Sequence, residues 1–531
     1  MPFEPRNATE EEIQALPNTV DIIPRAVWVV TIAAAAERFS FYAITAPWQN
    51  YLQNAASDTD LPGALGLGQS LATNINNAFL FFAYITPLPL AIISDLWLGQ
   101  YKTLCISLGF YICGTTVLIA TSLPTSQQNG AGVPGLAVSM VLIGLGVGGV
   151  KATISPFMID QYTNVKPRLL QSKKGSYAIG QRTLTIQYIC NVFYWATNIA
   201  GLSYFASTFL ERNVGFWAAY LLSLCTLLLA LVILLLWGKH VVKIPPQGNI
   251  LPQVGKCLAF GARNGFRLER VRPSYQLEHF NRLVPWTGAF VDEMKRGIIA
   301  CRVIFSMVLF YLCYNQISTN LVSQAGSMQL GGFPNDAIQV LNPIACIIIG
   351  PIIQNGLYPI LLRQNIDFGP IARITAAFFL MGASMAYAAG VQQLIYSRGP
   401  CYNMPLNCPA SDGRIPNTVS VWVQAPQYLI LAVSEIFGFV TVSEYAYSKA
   451  PTNMKALVQA LTQFTACIAS AVGMGISPAA KDPHMVIFYA VLAGATAAVS
   501  LPFWWVFEQY DRIDERLNRL EQAEEEASGN P

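Results

Sequence analysis

The chain has 531 residues, 53% hydrophobic and 11% charged, with a formal net charge of +3. A soluble domain carries about 25% charged residues, so this composition excludes an ordinary soluble enzyme, and the small net charge does not suggest a nucleic-acid partner. An integral membrane protein is what remains.

The amino-terminal lead-in is polar, with Glu10, Glu11, Glu12 and Asp21. It lacks the successive charged, apolar and small-residue blocks of a signal peptide, so the first apolar segment is expected to stay as a membrane helix. About 20 apolar residues are needed to cross a bilayer core. Twelve segments meet that length: 27–52, 72–95, 101–122, 134–158, 184–207, 214–238, 299–323, 337–362, 370–396, 419–447, 455–478 and 484–508.

Orientation follows from Lys and Arg, which mark cytoplasmic loops. Loop 53–71 has Asp58 and Asp60 but no basic residue, and loop 123–133 has no charge. Segment 159–183 carries Lys166, Arg168, Lys173, Lys174 and Arg182, and the stretch 239–298 is richer still, from Lys239 to Arg296. Both termini are therefore expected in the cytoplasm, and the Asn7-Ala8-Thr9 sequon is expected to be idle. The basic residues of 239–298 read as orientation signals and as contacts to anionic lipid. Loop 397–418 then faces outside, where Cys401 and Cys408, in a polar and Pro-rich setting, are expected to form a disulfide. Most other cysteines sit in apolar segments and act as small hydrophobes. The three histidines are scattered and no metal-ligand spacing occurs, so no metal, cofactor or enzymatic activity is expected.

The spans divide six and six around the polar stretch 239–298. The expected organisation is a cytoplasmic segment 1–26, a bundle 27–238, a linker 239–298, a second bundle 299–508 and an acidic tail 509–531. This is the layout of a major-facilitator transporter, an all-α membrane fold of two six-helix bundles, in which substrate sits at the midplane between bundles that rock around it.

Several polar residues interrupt the apolar segments. Glu37 and Arg38 lie adjacent in the first, where either charge costs roughly 2.5–3.5 kcal/mol near a bilayer centre; they must pair, line a wet cavity or do work. Asp95, Gly99 and Lys102 bracket a short turn after the second segment. They look like the loop signature between helices two and three of major-facilitator proteins, which assigns Asp95 and Lys102 to gating. Lys151 follows Gly144, Gly146, Gly148 and Gly149, glycines that permit close helix approach. Asn198 lies in the fifth segment, after Phe193-Tyr194.

Taken together these residues form a known pattern. Glu-Arg-Phe-x-Phe-Tyr at 37–42, Gly-x-Gly-Gly-Val-Lys at 146–151 followed by Asp160-Gln161-Tyr162, and Phe-Tyr-x-x-Thr-Asn at 193–198 resemble the proton-coupled oligopeptide transporter family. Pro62–Gln69 is similar to its fungal branch. Asn315-Gln316, Ser323–Gly326, Leu341-Asn342-Pro343, Pro426-Gln427-Tyr428, Ser434-Glu435, Glu444–Ser448 and Ala450-Pro451 carry the resemblance through the second half.

The resemblance implies a secondary active transporter of di- and tripeptides, driven by a proton gradient and placed by family default in the plasma membrane. It implies that Arg38 and Lys151 attract the peptide carboxylate, and that Asn198, Asn342 and Glu435 hold the ammonium end. Tyr42, Tyr84 and Tyr311 would line side-chain pockets, Tyr311 standing where the family often has Trp. Glu37 and Glu435 would be the leading proton sites, with Glu444 a further intramembrane carboxylate. The chain also departs from the family. Ala34 replaces the first glutamate of the helix-one motif, Asn315 an Asp on helix seven, and Gln354 an Asp before Tyr358-Pro359. Ala, Asn and Gln cannot change charge, so an alternative is a member turned to a peptide-like metabolite or other small solute, as importer or exporter, with altered or absent proton coupling. A non-transporting sensor on the same fold has no supporting feature in the sequence.

Overall fold

The structure, a computed structural model, describes residues 6–58, 61–164, 166–171, 177–245, 255–257, 259–261, 268–284, 286–288, 290–291, 294, 302–364, 366, 368–408, 414–443, 445 and 455–528. Glu444 and the Ala450-Pro451 end of the helix-ten pattern lie outside them. The fold is the all-α major-facilitator arrangement of twelve helices. They are numbered here by span: α1 (Arg25–Thr45), α2 (Gln69–Ile85), α3 (Gln100–Ser122), α4 (Gly132–Asp160), α5 (Arg182–Ala200), α6 (Phe216–Leu236), α7 (Val308–Tyr314), α8 (Leu341–Ile352), α9 (Pro370–Tyr396), α10 (Ala425–Glu435), α11 (Lys455–Ile476) and α12 (Met485–Ser528). Among the described residues, nine helical stretches are long and apolar enough to cross a membrane. The other three spans are polar or broken: α5 carries Gln187, Asn191 and Asn198, α7 passes into a 3-10 turn at Asn315–Ser318, and the α11 sequence includes Lys455, Gln459 and Gln463.

Among the described residues, three spans contain π-helical turns, at Ser94–Leu98 after α2, Ile353–Leu357 after α8 and Ile436–Val440 after α10. Such turns re-aim side chains and recur at functional sites.

The chain forms two compact units. Unit 1 comprises residues 1–47 and 86–248; unit 2 comprises 48–85 and 249–531. In unit 1 the α3–α4 seam is set by glycine. A Cβ at Gly148 would stand 2.1 Å from Thr86 Oγ1, and one at Gly149 would stand 1.9 Å from Ser107 Oγ. Only hydrogen fits there, so the glycines let α4 lie against its neighbours and position Lys151 one turn onward. Ser40 fastens α1 to α6 by donating to the Ser223 carbonyl at 3.1 Å.

The lead-in that reads as a polar tail is folded. Strands β1 (Arg6–Asn7), β2 (Asn18–Thr19), β3 (Arg168–Gln171) and β4 (Tyr177–Gly180) form a sheet ordered β1-β3-β4-β2. β1 pairs antiparallel with β3, and β2 parallel with β4. The short helix Glu10–Ala15 between β1 and β2 starts with a Thr9/Glu12 capping box, which satisfies two orphan backbone donors. Asp21 is the buried node. It accepts from the Tyr162 hydroxyl at 2.6 Å and from Asn164 Nδ2 at 3.2 Å, while its own N–H donates to Thr185 Oγ1 at 2.9 Å. Arg168 lies 3.9 Å from the same carboxylate. Burial, then the bond to Asp21, pushes the Tyr162 phenol up to about 12.

In unit 2, residues 48–85 are tied to the second half of the chain by neutral side chains. Asn50 Nδ2 donates to Asn335 Oδ1 at 2.9 Å, and Asn335 Nδ2 returns to Asn50 Oδ1 at 2.8 Å. Gln49 donates to Ser323 Oγ at 3.1 Å and accepts from Asn76 at 2.8 Å. Thr73 donates to Asn320 Oδ1 at 3.1 Å, and Asn74 to Ser477 Oγ at 2.9 Å. A buried amide left unpaired costs about 1–3 kcal/mol, so these groups hold the first and second spans in one register. The same unit carries the Cys401–Cys408 disulfide, with Cα atoms 5.5 Å apart.

Candidate functional site

Arg38 and Lys151, two of the unit 1 residues assigned a role by sequence, converge on one ring, that of Phe41. On α1, the Glu37 carboxylate receives Arg38 Nε at 2.7 Å and Nη2 at 3.0 Å, a two-pronged ion pair between adjacent residues. Glu37 is 2% exposed and the Arg38 side chain 13%. Paired charges in fork geometry are the form in which burial is tolerable. One turn on, the Phe41 ring takes the Arg38 guanidinium at 5.3 Å and the Lys151 ammonium of α4 at 5.5 Å from its centroid. A ring face attracts a cation by its quadrupole, by about 0.5–2 kcal/mol depending on desolvation. Phe41 therefore sits against two like charges that would repel if brought together without it.

Tyr42 is half-buried, 5.2 Å from the Tyr204 ring. Asn198 is also half-buried, and its amide donates to the Tyr194 carbonyl at 3.0 Å within its own helix. Tyr111 of α3 is buried and is an electrostatic neighbour of both Glu37 and Arg38.

The unit 2 residues form a second group. Asn342, at the start of α8, donates to Glu435 Oε2 at the end of α10 at 2.8 Å. They are 6% and 8% exposed. Tyr314 and Cys346 also approach the Glu435 carboxylate as hydrogen-bonding neighbours. Tyr311 is half-buried and stacks at 4.6 Å on Phe439, and Tyr84 is its electrostatic neighbour. Asn315, where the family pattern has Asp, is buried and donates to Ser470 Oγ at 3.3 Å. A neutral amide suits that hydroxyl partner without a counter-charge. Gln354 lies in the π-helical turn after α8.

Asp95 and Lys102 do not meet: no ion pair joins them among the described residues. Asp95 is half-buried in the π-helical turn Ser94–Leu98, where its acidic neighbour is Asp160, and Lys102 is exposed. Gly99 between them adopts φ +76°, a left-handed conformation that favours glycine. No grouping of His, Cys, Asp and Glu that could hold a metal occurs among the described residues.

The structure adds Phe41, Tyr111 and Phe439 to the residues singled out by sequence. Phe41 stood inside the Glu-Arg-Phe-x-Phe-Tyr motif but carried no role. Tyr111 and Phe439 belong to apolar stretches where an aromatic residue reads as packing.

Helices that hold an ion pair, a lysine against an aromatic ring and an amide–carboxylate pair while presenting apolar surface outward define a polytopic membrane protein of the major-facilitator class. The fold comparison agrees: the crystal structure of the POT family transporter PepTSo superposes with a TM-score of 0.72 at 19% identity, covering 93% of this chain and 99% of that one. The family model described as POT family matches residues 101–497. The chain is 38% identical to the probable peptide transporter ptr2 of Schizosaccharomyces pombe over 97% of its own length and 82% of that protein. It is 34% identical to the peptide transporter PTR2 of Saccharomyces cerevisiae over 98% and 84%. The chain belongs to the POT family.

Proposed function

We propose that this protein is a secondary active transporter of di- and tripeptides, working as a proton symporter by alternating access. The observation that carries the reading is the division of buried charge. One cluster offers two cations around a ring, Arg38 and Lys151 on Phe41. Another offers a carboxylate with an amide beside it, Glu435 and Asn342. A zwitterion with variable side chains needs one pole for each end and a loose, aromatic-walled middle. Arg38 and Lys151 attract the carboxylate, and Glu435, Asn342 and Asn198 hold the ammonium. Tyr42, Tyr84 and Tyr311 line the side-chain pockets. The names of the relatives, peptide transporters from two yeasts, support the substrate class.

Glu37 is the leading proton site, because protonating it frees the Arg38 edge it now occupies; Glu435 is the second. Asp95 and Lys102 act in gating. No cofactor takes part, and the proton gradient drives accumulation. The disulfide-bearing ends of the helices face outside, both termini face the cytoplasm, and the host membrane is the plasma membrane.

The test is uptake of a labelled dipeptide into proteoliposomes with and without an imposed proton gradient. The expected result is accumulation only with the gradient, and weak competition by peptides amidated at the carboxyl end. Failure to take up dipeptide under either condition would overturn the substrate class. Equal competition by amidated peptides would overturn the Arg38–Lys151 clamp.

A further inference from the structure

Phe439 has no role in the reading above, yet the fold builds a surface around it. It lies four residues beyond Glu435, inside the π-helical turn Ile436–Val440. At α- or π-helical pitch a residue four places on returns to nearly the same side of the helix, so Phe439 sits one turn from Glu435 on its face. The ring stacks on Tyr311 with centroids 4.6 Å apart and 32° between planes. It meets Tyr314 edge-on at 4.9 Å and Phe310 edge-on at 5.1 Å.

Gly438 makes this packing feasible, since a Cβ there would stand 2.8 Å from Phe310 Cζ. Phe310 is fully buried and supports the slab from beneath, whereas Phe439, Tyr311 and Tyr314 are each half-buried and keep open surface. Phe437, two residues earlier, turns to the other side and packs against Tyr358 and Phe368. The two phenylalanines of Ile436-Phe437-Gly438-Phe439 therefore do different work: one is core, the other is wall.

We propose that Phe439 is a specificity-determining residue: with Tyr311 it forms the wall against which the side chain of the substrate's first residue packs, favouring peptides that begin with a large apolar or aromatic residue. The inference rests on Glu435 and Asn342 being the ammonium anchor. A first side chain leaves the same Cα that carries the ammonium, so anchoring the nitrogen at Glu435 delivers that side chain to the surface one turn away. The second side chain starts about 3.8 Å further along the backbone and is not held there by the anchor. Aromatic stacking on Phe439 then adds to the apolar contact.

The test uses the full chain in proteoliposomes, with labelled Ala-Ala uptake competed by unlabelled Ala-Ala, Ala-Phe and Phe-Ala. In the native protein Phe-Ala should be the strongest competitor. For Phe439→Ala the inhibition constant of Phe-Ala should rise about tenfold while that of Ala-Ala moves less than about twofold. Phe439→Tyr should keep the preference, and Phe439→Leu, which preserves apolar volume if the alanine variant folds poorly, should lose part of it. An equal rise for all three competitors together with lower thermal stability would make Phe439 merely structural and overturn the proposal. Loss of Ala-Phe rather than Phe-Ala binding would overturn its assignment to the first residue. Native protein that takes up no Ala-Ala would overturn the transport reading itself; native uptake with Phe-Ala competition unchanged in every variant would overturn this inference alone.

Discussion

The reciprocal amide pair Asn50–Asn335 offers a clean perturbation, because Asn335→Asp changes two donors into an acceptor without changing shape. In the native structure Asn335 Nδ2 donates to Asn50 Oδ1 at 2.8 Å and to the Val322 carbonyl at 3.3 Å. Asn335 is 1% exposed and Asn50 2%. A carboxylate at 335 loses both bonds, each worth about 1 kcal/mol net, and turns its oxygen toward two acceptors in a dry site, adding about 1–3 kcal/mol for groups left unpaired. The sum is about 3 kcal/mol or more, enough to raise the opening equilibrium of this junction about a hundredfold. Protonation would restore one donor, so the defect should shrink as pH falls toward 5. Amide hydrogen exchange in nanodiscs at pH 7.5 and pH 5, corrected for intrinsic rates, reads this directly. Segments 48–56 and 318–326 should exchange faster in the variant at pH 7.5 and recover in part at pH 5, with the native protein nearly unchanged between the two. Unaltered exchange in Asn335→Asp at pH 7.5 would refute the reasoning, since it would mean that the pair contributes nothing to closure.

Three further outcomes are expected. Glu37→Gln should abolish proton-driven accumulation of dipeptide while sparing counterflow exchange; a variant that still concentrates peptide against a gradient removes Glu37 as the proton site. Burial pushes the Asp482 carboxyl up to about 6 despite a bond from the Tyr396 hydroxyl. A carboxyl raised in the fold contributes most below its unfolded value near 4, and that contribution is lost as pH rises through about 6. Asp482→Asn, which keeps an oxygen for Tyr396, should therefore raise thermal stability at pH 8 by roughly 1–3 kcal/mol and match the native protein near pH 4; no gain at pH 8 would show that the carboxylate carries no penalty. Gly149→Ala places a methyl 1.9 Å from Ser107 Oγ and should cost about 1–3 kcal/mol by overpacking, with partial recovery in Gly149→Ala/Ser107→Gly. A native melting temperature for the single variant would show that α3 and α4 can separate freely.

The spans and the charged site residues were legible because each breaks a rule of its surroundings. Glu37, Arg38, Lys151 and Glu435 are costly in apolar segments, and cost is visible from composition alone. The amides are different. Gln49, Asn50, Asn74 and Asn76 are inexpensive enough to occur as local helix–helix bonds, and nothing in their spacing names Asn335, Ser323 or Ser477 as partners some hundreds of residues away. The assignment of residues 48–85 to the second unit was therefore hidden. The amino-terminal sheet was hidden for another reason. Its strands are two to four residues long, too short for a period to show, and they are held by Asp21, whose burial depends on Tyr162 and Thr185 arriving from elsewhere. Phe41 and Phe439 illustrate the limit for aromatic residues: on an apolar helix, packing and recognition require the same side chain, and only the neighbours tell them apart.

The placement of charge bears on how coupling can survive the departures at Ala34 and Asn315. The pairs Asn50–Asn335, Gln49–Ser323, Thr73–Asn320 and Asn74–Ser477, which join residues 48–85 to the rest of unit 2, are made by amides and hydroxyls that keep one charge state across the physiological range. The Glu37–Arg38 pair is different. Glu37 occupies the Nε–Nη2 edge of the guanidinium, the edge a peptide carboxylate would also use in two-pronged fashion. In the proposed mechanism peptide and ionised Glu37 compete for Arg38, and a proton on Glu37 removes the competitor. Lys151, held on the same Phe41 ring, stays in reach as the second cation. In that mechanism one carboxylate beside one arginine links proton and peptide binding, because each ligand favours the state to which the other binds. In the proposed mechanism the replacement of the first glutamate of the family motif by Ala34 removes one carboxylate and leaves the Glu37–Arg38 pair in place.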